Sequence, residues 1–137
     1  MKPILYSYYR SSCSYRVRIA LNLKELDYEY RPVHLVKGGG EQNKENYQEL
    51  NPKSEVPFLI DGNIKLSQSM AIIHYLDEKY SKLKLFPEDA YEKAQCIELC
   101  EIINSGIQPL QNLKLLQYLT TEFAATDDAR QKWCAHW

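Results

Sequence analysis

Between Ile4 and Tyr80 the apolar residues change their spacing repeatedly, and that alternation restricts the fold more than any other property of the chain. Ile4 to Tyr8 is a short apolar run of strand type. From about Ser14 to Lys24 the residues Val17, Ala20 and Leu21 fall on one helix face, with Leu23 as a further candidate for it. Tyr28 to Leu35 gives a second strand, and Pro32, which has no N–H to donate, suits it to a sheet edge. Lys37-Gly38-Gly39-Gly40 is a loop, and Glu41 to Leu50 is polar enough for only a short or irregular helix. Phe58-Leu59-Ile60 and Ile64-Lys65-Leu66 flank the turn pair Asp61-Gly62 and predict a hairpin. A helix then starts at Gln68-Ser69, with Ser67 or Ser69 as its cap and Ile72, Ile73, Leu76 and Tyr80 inward. The order βαβαββα is that of an α/β unit whose first two strands run parallel and whose last two form an antiparallel pair.

The periodicity lapses from Ser81 to Phe86, Pro87 breaks the chain, and Glu88 and Asp89 suit the start of a new helix. The predicted domains are therefore 1–82 and 88–137. In the second, Ala94, Ile97, Cys100, Ile103, Ile107, Leu110, Leu113 and Leu116 predict one long helix from about Glu88 to Leu119, bent near Gly106 and Pro109, with a buried apolar stripe. A further helix begins around Thr126-Asp127-Asp128 and carries Trp133 and Trp137 on one side. An apolar helix at the end of the sequence with nothing to cover it reads as an incomplete all-α domain.

Hydrophobic residues make up 45% and charged residues 26%, with a net charge of -1, so no polyanion or acidic-membrane partner is expected. No apolar run approaches the roughly 20 residues needed to span a bilayer, and Met1-Lys2-Pro3-Ile4 leads into a strand without a signal-peptide core, so the expected location is cytoplasmic. The four cysteines, Cys13, Cys96, Cys100 and Cys134, have no framework spacing and read as reduced thiols. Cys96 and Cys100 share a helix face, but no nearby His or second Cys pair completes a metal set, so no metal is expected. His34, His74 and His136 are scattered, with no carboxylate or cysteine at a spacing useful for catalysis.

Chemistry is expected where the first strand hands over to the first helix, in Ser11-Ser12-Cys13-Ser14-Tyr15-Arg16-Val17-Arg18. A helix start has unpaired N–H groups and the positive end of the helix dipole, so a hydroxyl or thiol held there stabilises a negative sulfur. The same field is expected to lower the pKa of Cys13.

This run, continued by Ile19-Ala20-Leu21, resembles the signature of zeta-class glutathione transferases, with Tyr15 where that family usually has Trp. Asn51-Pro52 with Val56-Pro57, Gln68-Ser69 with Ala71-Ile72-Ile73 and Tyr75-Leu76, and Gly106-Ile107-Gln108-Pro109-Leu110-Gln111-Asn112-Leu113 follow in the family's order. The resemblance implies a thioredoxin-like N-terminal domain, a helical C-terminal domain and glutathione as cofactor. It implies that Pro57 is cis and that Val56 pairs with the cysteinyl unit of the tripeptide like an added strand. By the same resemblance Gln68 and Ser69 take the γ-glutamyl carboxylate, Ser11, Ser12 and Cys13 surround the sulfur, and Ser14 and Arg16 belong to the glutathione-binding set. Ser12 is the first choice of donor to that sulfur, with Ser11 and Cys13 as the other catalytic candidates. Gln42 resembles a further ligand contact, and Gln108 and Asn112, one turn apart, resemble contacts from the helical domain, although Lys114 stands where Ser is more usual. Tyr6 and Tyr8 are weaker candidates, because only some glutathione transferases use an N-terminal tyrosine.

The activity implied is glutathione-dependent isomerisation of maleylacetoacetate to fumarylacetoacetate, a step of tyrosine and phenylalanine breakdown, in a homodimer, with Arg10 and Arg16 as cations for the substrate. The alternatives are general conjugation of glutathione to small electrophiles and a glutathione-binding module without turnover.

Overall fold

The structure, a computed structural model, describes residues 2–137, and the chain divides into two compact units between Leu85 and Phe86. In the first, β1 (Ile4–Ser7) leads into α1 (Ser12–Leu23), then β2 (Glu29–Pro32), two short 3-10 turns, α2 (Glu45–Leu50), the hairpin β3 (Phe58–Asp61) and β4 (Ile64–Ser67), and α3 (Ser69–Lys79). The sheet order is β2-β1-β3-β4, with β1 and β2 parallel and the other pairs antiparallel. Pro32 therefore lies on an edge strand, where its missing N–H costs no ladder bond. The unit is the α/β domain that the alternation predicts, with the thioredoxin-like fold that the resemblance implies.

Strand alternation sorts β1 to two faces. Leu5 joins Val17 and Leu21 of α1, Leu59 of β3, and Ile72 and Leu76 of α3 in one fully buried cluster. Removing each of these side chains from water stabilises the fold by roughly 1.5–3 kcal/mol. On the opposite face Tyr6 meets Tyr47 of α2, with ring centroids 5.8 Å apart, and Phe58 at 6.1 Å. Helices α1 and α3 thus share one face, and α2 covers part of the other.

Two polar clusters secure α3. Asp61, at the end of β3, accepts from Tyr75 Oη at 3.0 Å, Lys79 Nζ at 2.8 Å and Tyr80 Oη at 2.8 Å. Lys24 and Asp77 form a buried ion pair at 2.9 Å. The Lys24 ammonium also donates to the Leu83 carbonyl, and Asp77 Oδ1 accepts from Leu85 N–H at 2.7 Å.

The hairpin differs in detail from its sequence expectation: Asp61 pairs with Ile64, so Gly62-Asn63 form the loop, and Gly62 takes the left-handed φ of +62°. At α3 neither Ser67 nor Ser69 caps the helix. Gln68 occupies the cap position with φ 73°, and its side chain makes no cap bond.

In the second unit, α4 (Ala90–Glu101) is capped by Asp89, which accepts from Tyr91 and Glu92 N–H. A π-helical turn over Ile102–Ile107 and the short α5 (Gln108–Gln111) follow, then α6 (Leu113–Phe123) and α7 (Asp127–His136). The single long helix expected to Leu119 is therefore interrupted. The π-turn contains Gly106, and the chain then turns extended at Asn112 (ψ 156°), which caps α6 by accepting from Leu115 N–H at 2.9 Å. The expected stripe is only half-buried at Ile97, Cys100, Ile107, Leu110 and Leu116, and it is exposed at Ala94, Ile103 and Leu113. Thr126 caps α7, where the Trp133 and Trp137 rings lie 6.1 Å apart. Among the described residues no helix is long and apolar enough to cross a membrane.

Candidate functional site

At the start of α1, Ser11 is the N-cap and its Oγ accepts from Ser14 N–H at 3.2 Å. With that hydroxyl committed to the cap, Ser12, the first helical residue, is left exposed to solvent. Cys13 is half-buried with a free thiol. Ser14 is fully buried, and its Oγ has no hydrogen-bond partner among the described residues.

The start of α3 meets this site. Arg16 Nη1 donates to Ser69 Oγ at 3.1 Å, and Ser69 is itself buried. Ser12 and Ser69 are hydrogen-bonding neighbours of the Cys13 thiol, and the charges of Arg16 and Glu55 act on it. Two helix N-termini, a guanidinium and two hydroxyls therefore gather around one sulfur, an environment that favours an anion. Burial nevertheless pushes the Cys13 thiol up, outweighing Arg16 and the hydroxyl groups, and Glu55 adds to the rise. The expectation of a lowered Cys13 pKa is thus reversed: the helix start favours a thiolate, but desolvation of this half-buried side chain is larger.

The third wall is the loop before β3. The Val56–Pro57 peptide is cis, as the resemblance implies, and Pro57 is buried. Pairing of β1 with β3 begins at Phe58, so the peptide groups of Val56 lie outside the sheet ladder. Gln68 is exposed at the start of α3. Gln42 is half-buried: its Nε2 donates to the Leu35 carbonyl at 3.2 Å, and its buried Oε1 has no hydrogen-bond partner. It can fold back in this way because Gly40, at φ +93°, lacks the Cβ that would lie 2.5 Å from Gln42 Nε2.

Gln108 and Asn112 belong to the second unit, and the resemblance alone assigns them to the tripeptide. They are not one turn apart on a single helix: Gln108 opens α5, and the Asn112 Oδ1 is engaged as the cap of α6. Tyr8 is buried against Tyr9 and His34, and the Tyr6 hydroxyl accepts from Arg31 at 2.9 Å on the α2 side of the sheet. A cavity of about 370 Å³ on that side is lined by Tyr6, Arg31, Val33, Lys44 and Tyr47, none of which belongs to the serine run. Among the described residues no three His, Cys, Asp or Glu side chains gather as a metal set.

Glu55 and the loop contacts of Tyr47 and Asn51 are absent from the sequence reading. Asn51 is visible there as part of an Asn-Pro motif, but its partner, the Glu55 carbonyl, is not.

A thioredoxin-like unit with a cis-Pro loop beside two helix starts defines a class of protein, and the sequence model described as Glutathione S-transferase, N-terminal domain, matches residues 5–84. The chain belongs to the glutathione S-transferase family. More particularly, it is 49% identical over 137 residues to the Probable maleylacetoacetate isomerase of Vibrio cholerae, covering 100% of this chain and 64% of that protein. The holo structure of a maleyl pyruvate isomerase, a bacterial zeta-class enzyme, superposes with a TM-score of 0.92 at 42% identity, over 98% of this chain and 62% of that one. The maleylacetoacetate isomerase of Anaeromyxobacter dehalogenans with bound GSH superposes with a TM-score of 0.81 at 40% identity, over 98% of this chain and 62% of that one. The chain thus spans less than two thirds of the length of these relatives.

Proposed function

We propose that this chain binds glutathione and serves glutathione-dependent cis-trans isomerisation of maleylacetoacetate or a closely related cis-enone diacid. The observation that carries the reading is the meeting of the α1 and α3 N-termini through Arg16 and Ser69 beside the Ser12–Cys13 corner. The residues present suit the tripeptide. Val56 has peptide groups outside the ladder, the Gln42 Oε1 is buried and unpartnered, and α3 begins without a side-chain cap.

Bound glutathione supplies a thiol able to add to an activated cis double bond and, after rotation about the resulting single bond, to leave again. The chain's part is to hold that sulfur as an anion. Ser12 donates its hydroxyl to the sulfur, and the α1 N-terminus adds the field of its free N–H groups. Ser11 keeps the helix start in register through its cap, Val56 pairs with the cysteinyl unit, and Gln68 and Ser69 take the γ-glutamyl carboxylate. Arg10 and Arg16 offset the charge of a dianionic substrate. Glutathione returns unconsumed, and the homodimeric state follows the family resemblance.

The test is incubation of the chain with glutathione and maleylacetoacetate, following both product geometry and free thiol. Trans product with constant glutathione supports isomerisation, net loss of thiol means conjugation, and binding without either product leaves a binding module. Ser12→Ala is expected to remove most of the ultraviolet thiolate band of bound glutathione and to change its affinity little. An unchanged band moves the donor role away from Ser12.

A further inference from the structure

The Glu55 carbonyl oxygen accepts two hydrogen bonds, from Tyr47 Oη at 2.8 Å and from Asn51 Nδ2 at 2.8 Å. Both donors are buried, with Tyr47 6% and Asn51 3% exposed. Each is also fixed from elsewhere. The Tyr47 ring packs on Tyr6, and Asn51 donates its own N–H to the Tyr47 carbonyl at 2.8 Å while its Oδ1 accepts from Lys53 N–H at 3.3 Å.

The Glu55 carbonyl and the Val56 N–H belong to one peptide unit. That unit is planar and trans, so fixing the direction of the C=O fixes the N–H on the opposite side. We propose that Tyr47 and Asn51 are positioning residues: by filling both lone pairs of the Glu55 carbonyl they aim the Val56 N–H away from α2, where it serves as the donor for an extended peptide ligand. The ligand assignment rests on the glutathione reading above, but the clamp itself does not. Neither donor touches the ligand; each acts through the peptide plane. A carbonyl held by one donor can swing about that bond, whereas two donors from different directions leave it a single orientation. Burial pushes the Tyr47 hydroxyl up to about 12, so it remains a donor throughout the neutral range. The amide of Asn51 is required for its two ends, one donating and one accepting. An aspartate of the same shape would set a negative charge against the carbonyl instead.

The test uses the full chain. Tyr47→Phe keeps the ring and removes one donor, and Asn51→Asp removes the other. Tyr75→Phe is the control, because it deletes a comparable hydroxyl, bonded to Asp61 at 3.0 Å, in a different part of the fold. Two quantities are read: the calorimetric Kd for glutathione, and the 15N order parameter of the Val56 amide in the free protein. Tyr47→Phe and Asn51→Asp are each expected to weaken glutathione about tenfold, ~1.4 kcal/mol. They are also expected to drop the Val56 order parameter from about 0.85 toward about 0.6, with Tyr75→Phe changing neither. If both variants leave affinity and Val56 order as in the parent, or if Tyr75→Phe shifts them equally, the clamp is refuted. If the parent chain does not bind glutathione at all, the functional reading fails, and the Val56 order parameter still decides the clamp.

Discussion

Cys13 shows how two legible effects can combine to an illegible sum. The serine run, the helix start and the nearby arginine can all be read from the order of residues 11–18, and each favours a thiolate. The opposing influence is desolvation, joined by Glu55 from the loop before β3, and packing of that kind has no local signature. Because the net shift is upward, the thiolate fraction near neutral pH is smaller than in an open thiol. Alkylation of Cys13 by iodoacetamide at about pH 8 should therefore run slower than that of a free cysteine. Arg16→Ala should slow it further, since the guanidinium works in the opposite sense to burial. Peptide mass mapping over time reads both rates, and a Cys13 that outpaces a model thiol would overturn the assignment. The serines divide in the same fashion. Ser11→Ala should cost about 1 kcal/mol of thermal stability through the lost cap, and Ser12→Ala next to nothing.

Among the elements, strands and helices of the first unit follow their apolar spacing closely, and the departures have specific causes. The break between α5 and α6 escapes detection because Ile107, Leu110, Leu113 and Leu116 keep a three-residue spacing straight through it. Asn112 gave a usable sign, since Asn is a favoured N-cap. The long-range polar clusters gave none: Asp61 and Lys24 look like ordinary turn and helix-end residues until α3 is packed against them. For Asp61, burial by itself would raise the carboxyl, but the hydrogen bonds from Lys79, Tyr80 and Tyr75 outweigh it and hold the group below the usual 3.8. Its ionised form thus contributes stability above pH 3.8 that is lost as pH falls through the lower folded value. Asp61→Asn should flatten that acid dependence in melts taken from about pH 5 down to about pH 2, and lower stability near neutrality by about 1–3 kcal/mol. Lys24→Met removes the cation of this buried ion pair, so urea unfolding should report a loss of about 3–5 kcal/mol. Adding Asp77→Leu should return part of it.

Taken whole, the chain has its closed core in one unit. Leu5, Val17, Leu21, Leu59, Ile72 and Leu76 are fully buried there, whereas among the described residues none from Pro87 to Trp137 is buried. Amides of α4, α6 and α7 should consequently exchange with deuterium well ahead of those of β1, β3, α1 and α3, and equal protection in the two sets would contradict this account. The lapse of periodicity from Ser81 to Phe86 is legible in the sequence. The depth of burial on either side is not, since the same Ile and Leu spacing describes a covered stripe and a half-covered one. One mechanical consequence follows from the ties that Lys24 and Asp77 make to Leu83 and Leu85. They anchor the chain where it leaves the first unit, so a pull applied beyond Leu85 is transmitted first into α1 and α3. The load path misses the edge strand β2, and the ion pair is the rivet that must shear before the sheet feels the tension.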